Sequence, residues 1–340
     1  MTDDKADDEE MAVERLLSRT ERPMSLQELL SSMRENSIFY QNIEAEYEVQ
    51  VRSLRSEETK SASVIRHGLT TYHVIFQGMS YYARFHVIQD FTNGDRNEFV
   101  TEIGCDGERT HTNHQGKIGN IDYSRVLPRS FFPPNKLGYP ELSEYDLADF
   151  IEFTPILAAD DNYKSLSIRS RVVGSDTIDG MDCVKIDCAD YGLDCVKVAR
   201  ADYGRPQTSE PRAHTVLWIC PDRNFLGVRC ERYWHRASAT LPMVVYETSD
   251  WREVSPGVWI PFGGKSVTFD GDNLRQGLSR PNSDAHVKVT KVVLDPACRV
   301  EQFRDIEMPK DAPIYTIRNG EIVSTTVAGT QQPGTSGSSQ

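Results

Sequence analysis

Cys105, His111 and His114 form a compact C-x5-H-x2-H group in this 340-residue chain. Three such ligands with water in the fourth position would suit a catalytic zinc and metal-assisted chemistry. Cys and His are also common in β-hairpins that hold no metal, so the plain expectation is no metal, no cofactor and no enzyme. Asp270-Gly271-Asp272-Asn273 begins like an oxygen-rich calcium loop. The later bidentate Glu of an EF-hand is missing, which predicts a simple turn there. Asp160-Asp161 reads the same way. The chain has no GxSxG elbow, HExxH, P-loop or GxGxxG following a strand, the short motifs that would announce acyl, metal or nucleotide chemistry.

The bulk properties narrow the classes further. A formal charge of −13 argues against a nucleic-acid partner, because phosphate binding draws on clustered Lys and Arg. Part of that charge is local, since the first ten residues hold six carboxylates and one Lys. Residues 1–24 are therefore expected to be a solvated, disordered head. No apolar run approaches the roughly 18 residues that span a bilayer. The acidic start also lacks the basic and apolar regions of a secretory signal, which as written predicts a cytoplasmic protein. Seven cysteines without a CxxC pair are expected to be buried free thiols in a reducing compartment.

The elements that must position these residues begin with a helix. Ser25-Leu26-Gln27-Glu28 has the S-x-x-E form of a capping box, with Met24 placed to staple onto Leu29. Leu26, Leu29, Leu30 and Met33 follow as an apolar stripe at helical spacing. The period then changes to two: Ala45, Tyr47, Val49 and Val51 alternate with Glu46, Glu48, Gln50 and Arg52, the pattern of a half-buried strand. Further β runs start at Ser63, Thr71, Tyr81, Glu98 and His286, punctuated by Gly68, Gly78, Asn93-Gly94 and Gly107. A Pro-rich middle from Gly116 to Asp161 contains one short helix candidate over 141–153. CVKIDCADYG from Cys183 recurs as CVKVARADYG from Cys195, a local tandem duplication rather than a repeat architecture. Asn319-Gly320 marks a hairpin, and residues 326–340 form a polar Gly/Ser-rich tail that should not order.

The region from Trp218 to Lys265 carries more information. Pro221, Asp222 and Asn224 favour a tight reversal between LWIC and FLGVRCERYW. A four-residue loop over Pro221–Asn224 sets Cys220 opposite Phe225 and Trp218 opposite Gly227, an aromatic covering a strand glycine. Leu217 and Ile219 then meet Leu226 and Val228 on the other face, and Cys220 does not pair with Cys230. Val258-Trp259-Ile260 is expected to end at Pro261, which lacks an N–H for the ladder.

The helix LQELLSSMRENSIFYQNI, the strand EAEYEVQV, and the later LWICPDRNFLGVRCERY and GVWIPFGGK together resemble the LolA-like superfamily of bacterial lipoprotein carriers and lipid-binding proteins. The match rests on Trp218, Pro221, Arg229, Tyr233, Gly257, Val258 and Pro261, and loosely covers residues 25–325. It implies a mainly β (α+β) domain over 25–325, an open curved antiparallel half-barrel with two or three helices on its concave side. It also implies an apolar cavity for acyl chains, so a lipid or an acylated protein becomes the expected partner. A periplasmic or cell-envelope location follows from the resemblance rather than from the start of the sequence. Leu29, Leu30, Met33, Tyr47, Val49, Val51, Leu217, Ile219, Leu226 and Val228 are expected to share one interior, lining a cavity or filling it. A regulatory or protein-interaction domain of the same fold, without cargo, is the alternative.

Overall fold

The computed structural model of the chain describes residues 24–54, 65–78, 80–107, 109–114, 118–122, 168–190, 211, 213–299, 301–304, 306–307, 313–318 and 321–327. Residues 1–23 of the expected head, the helix expected over 141–153, Asp160-Asp161, the second duplicated copy, Asn319-Gly320 and residues 328–340 of the expected tail lie outside the described residues, while Thr326 and Val327, expected in that tail, end a strand.

Helix α1 (Leu26–Ser37) starts where the capping signal places it. The Ser25 N–H donates to Glu28 Oε2 at 2.8 Å, and the Glu28 N–H donates back to Ser25 Oγ at 3.3 Å. Two of the donors a helix start leaves open are thereby satisfied. Leu29, Leu30 and Met33 form its buried face, with Met24 packed beside them.

A short 3-10 turn (Ile38–Tyr40) leads into the strands. These are β1 (Asn42–Ser53), β2 (Ile65–Gln77), β3 (Ser80–Phe91), β4 (Arg96–Cys105), β5 (Thr110–His114), β6 (Ile118–Asp122), β7 (Ile168–Ile178) and β8 (Met181–Asp190). The later strands are β9 (Ala213–Cys220), β10 (Leu226–Trp234), β11 (Val244–Ser255), β12 (Val258–Phe269), β13 (Pro281–Leu294), β14 (Pro313–Arg318) and β15 (Glu321–Val327). They make one sheet in the order β15-β14-β6-β5-β4-β3-β2-β1-β13-β12-β11-β10-β9-β8-β7. Among the described pairings only β14 with β6 is parallel. The sheet curves without closing, so the fold is mainly β and open. The described residues also form two short helices, α2 (Gly271–Arg275) and α3 (Glu301–Arg304).

Following the ladder across strands, Leu217, Cys230, Tyr246, Ser266, Ala285 and Val51 stand in one row. Side chains in such a row share a face. This is the inner face, on which α1 packs. Helix α3 sits on the outer face: a Cβ added to Gly104 would lie 2.6 Å from the Phe303 carbonyl oxygen and 2.9 Å from Ile306 Cγ1.

Three local expectations are corrected. Asn224 and Phe225 both adopt positive φ, 56° and 58°, and the Phe225 N–H donates to the Cys220 carbonyl at 3.0 Å. The loop thus runs Pro221–Phe225, one residue longer than expected, and Leu226 faces Cys220 while Gly227 faces Ile219. A bulge at Val228 then puts Arg229, not Gly227, opposite Trp218, since a bulged strand sets two residues against one. Gly68 does not break a strand but lies inside β2. Pro261 does not end β12 either. At that point β12 pairs with β11 alone, because β13 joins it only from Gly263 onward. The absent N–H therefore faces the locally open side, as at a sheet edge.

Candidate functional site

The C-x5-H-x2-H residues do not converge. Cys105 lies opposite Thr110 and Gly104 lies opposite His111, so the sulfur and the His111 ring leave opposite faces of the β4–β5 ladder. His114 is opposite Thr101, four residues along β4 from Cys105, a span of roughly 13 Å. Its Nδ1 sits 2.7 Å from Thr101 Oγ1. Burial pushes the Cys105 thiol up, away from a metal-ready thiolate. Asp270 caps α2 by accepting from the Asp272 and Asn273 N–H groups at 2.9 and 3.1 Å, so the calcium-like run is a turn and a cap. Glu44, Glu46 and His73 do come together on the outer face. The Lys291 ammonium already serves as their cation, 2.7 Å from Glu44 Oε1 and 3.5 Å from Glu46 Oε1. That bond is the main reason the Glu44 carboxyl is held below its usual range.

The apolar candidates divide among three clusters, with Val51 in none of them. Leu29, Leu30 and Met33 of α1 meet Leu217 and Ile219 of β9, together with Ile186, Cys188 and Cys230. Every member of this cluster is buried, so the helix end of the inner face is filled. Tyr47 and Leu226 belong to a larger cluster built on β1, β2, β3, β4, β12 and β13, with Val49 packed against it. Val51 is 36% exposed. The bulge turns Val228 away, to pack with Trp218, Cys220 and Cys183.

On the inner face of the central strands β3, β2, β1 and β13 lies a half-buried patch of Val49, Tyr72, Phe85 and Val287 beside Tyr47. The Tyr47 and Tyr72 rings stack with centroids 4.5 Å apart and planes 7° from parallel, and Phe85 tilts against Tyr72 at 5.8 Å. Burial pushes both phenols up, which keeps the patch uncharged across ordinary pH. Tyr72, Phe85 and Val287 were missed as lining residues. The alternation in TYHVIF, YYARFHVI and HVKV was the signal for them.

The sheet end that α1 covers on the inner side carries charged side chains and histidines on its outer face. A cleft of about 600 Å³ opens among Arg169, Arg171, Asp187, His214, Val216 and His235. The ladder explains the grouping: Arg169 faces Ala189, Ala189 faces His214, and His214 faces Tyr233. His214 Nδ1 and His235 Nε2 lie 2.7 Å apart, and the His214 ring stacks on Tyr233 at 4.3 Å. Arg171 bonds Asp187 at 3.0 Å. Burial holds the His214 imidazole below its ordinary value, and a bond between two ring nitrogens needs one to donate and the other to accept. Such a cleft can contact a small anion or pass a proton between rings.

No protein-family model matches the chain, and no curated protein matches it. Solved structures do. A DUF1329 family protein from Desulfovibrio piger is similar at 11% identity and TM-score 0.41, over 81% of this chain and 94% of that one. A LolA superfamily protein from Nitrosomonas europaea is similar at 10% identity and TM-score 0.38, over 82% and 97%. The Mycobacterium tuberculosis lipoprotein LppX is similar at 11% identity and TM-score 0.22, over 80% and 97%. At these scores the functional reading rests on the chain's own residues.

Proposed function

We propose that this chain is a non-catalytic binding protein that holds an acyl chain, of a lipid or of an acylated protein, on the inner face of its open sheet. The observation that carries the reading is the half-buried patch of Tyr72, Phe85, Val49 and Val287 next to a packed interior. An apolar chain laid there exchanges exposed carbon surface for buried surface. At about 0.8 kcal/mol per CH₂, eight carbons would contribute roughly 6 kcal/mol before ordering costs. An envelope location belongs to the same proposal, since acylated molecules are moved there. No described helix is long and apolar enough to cross a membrane.

Native mass spectrometry of protein purified without detergent tests this. A retained mass matching an acyl lipid supports it. A bare chain that also fails to take up added fatty acid overturns it. The second reading, an interaction domain without cargo, draws on the filled helix end, where Leu29 and Ile219 are both fully buried.

A further inference from the structure

β8 and β9 run antiparallel with Val184 opposite Ile219. One step further sets Cys183, near the start of β8, against Cys220, the last residue of β9. Strand alternation sends both sulfurs to the outer face, where they share a small buried cluster with Trp218 and Val228. Residues directly opposite on antiparallel strands have Cα atoms roughly 4.5–5.5 Å apart, inside the range of about 4.4–6.8 Å that a disulfide spans. Each thiol acts on the other, Cys183 drawing the Cys220 thiol down and Cys220 pushing the Cys183 thiol up, while the Cys183 Sγ–H donates to the Met181 carbonyl at 3.4 Å. The other buried thiols differ. Burial pushes Cys105 and Cys188 up, and Cys188 and Cys230 belong to the inner cluster under α1.

We propose that Cys183 and Cys220 form a disulfide site, closed by exchange with a low-molecular-weight disulfide such as oxidised glutathione. The Cys220 thiolate attacks one sulfur of the external disulfide, joins to it and releases the first thiolate. Cys183 then loses its proton and attacks the Cys220 sulfur, forming the protein S–S bond and releasing the second thiolate. Two protein thiols are oxidised, one external disulfide is reduced to two thiols, and the two protons pass to the departing thiolates. Access comes through strand ends: β8 begins after the positive-φ pair Asp179-Gly180, and β9 ends at the Pro221 turn. Ends of this kind open more readily than strand centres. The bridge would tie β8 to β9 and close a loop carrying the second duplicated copy. That copy bears Cys195 at the position equivalent to Cys183, which makes Cys195 the natural competitor.

The test is peptide mapping of the full chain refolded from urea in glutathione buffers of increasing oxidised fraction, so that burial does not block exchange. Thiols are trapped by alkylation and the digest is read by mass spectrometry. The expected result is a linked Cys183–Cys220 peptide that dithiothreitol removes, with Cys105, Cys188 and Cys230 still alkylated. In Cys183→Ser, Cys220 should carry glutathione instead of a new protein partner. Alkylated Cys183 and Cys220 at the most oxidising ratio would overturn the proposal, as would Cys220 linked to Cys195 or Cys230.

Discussion

Arg229 stands across the β9–β10 ladder from Trp218, its guanidinium carbon 5.7 Å from the indole centroid, while Lys185 approaches the same ring at 4.8 Å. Arg229 also bonds Glu231 and Glu247, each at 2.6 Å. Glu231 accepts the Tyr233 hydroxyl at 2.5 Å, and Trp218 Nε1–H donates to Asp176 at 3.1 Å. One cation thus bonds two carboxylates and approaches an aromatic ring. Arg229→Ala should cost about 1–2 kcal/mol, since these charge-assisted bonds are only partly shielded from water. The urea midpoint measures this, and an unchanged midpoint would contradict it.

The cap of α1 offers a cleaner test. Ser25→Ala removes the acceptor for the Glu28 N–H and the reciprocal geometry of the capping box. The expected loss is about 1 kcal/mol. Thermal unfolding followed by circular dichroism would show it as a lower midpoint.

Two glycines should respond differently to alanine. At Gly104 the new methyl meets the Phe303 carbonyl oxygen at 2.6 Å, a backbone atom that moves only with α3. Overpacking of this kind costs about 1–3 kcal/mol. At Gly263 the obstacle is Ser249 Oγ at 2.5 Å, which a rotamer change can relieve. Gly104→Ala is therefore expected to lower the urea midpoint more than Gly263→Ala.

His214 makes stability depend on pH. Burial sets the folded His214 below its ordinary value of 6.5, so the unfolded chain binds the proton more readily. Stability is fully present above about 6.5 and falls as pH drops toward the folded value. His214→Gln should flatten the urea midpoint between about pH 7 and about pH 5. An equal slope in parent and variant would assign the dependence to other groups.

Much of this molecule was legible in residue patterns, where the signal is local. Ser25 and Glu28 announce their cap, and the alternation from Ala45 to Val51 announces β1. Counting by twos failed at Val228, because a bulge is a one-residue departure with no sequence mark of its own. The extra loop residue, Phe225, displaced Trp218 from Gly227, and the bulge then set Arg229 opposite it. Pro261 misled because its tolerance depends on where β13 begins to pair, which is a long-range fact. Cys183 with Cys220, and His214 with His235, meet only through the β8–β9–β10 ladder, so spacing along the chain gave no hint of either. The C-x5-H-x2-H group failed for a related reason: on a strand, odd and even positions leave opposite faces.

Acyl-chain binding to the inner face is tested most directly by titrating a fluorescent fatty acid into the parent protein, Val49→Asp and Gln50→Asp. Val49 belongs to the half-buried apolar patch, whereas Gln50 is exposed on the other face of the same strand. Setting a carboxylate against a buried acyl chain should weaken affinity at least about tenfold. Saturable binding by the parent, lost in Val49→Asp and kept in Gln50→Asp while both variants stay folded, is the predicted result. No binding by the parent, or equal binding by all three, would contradict it.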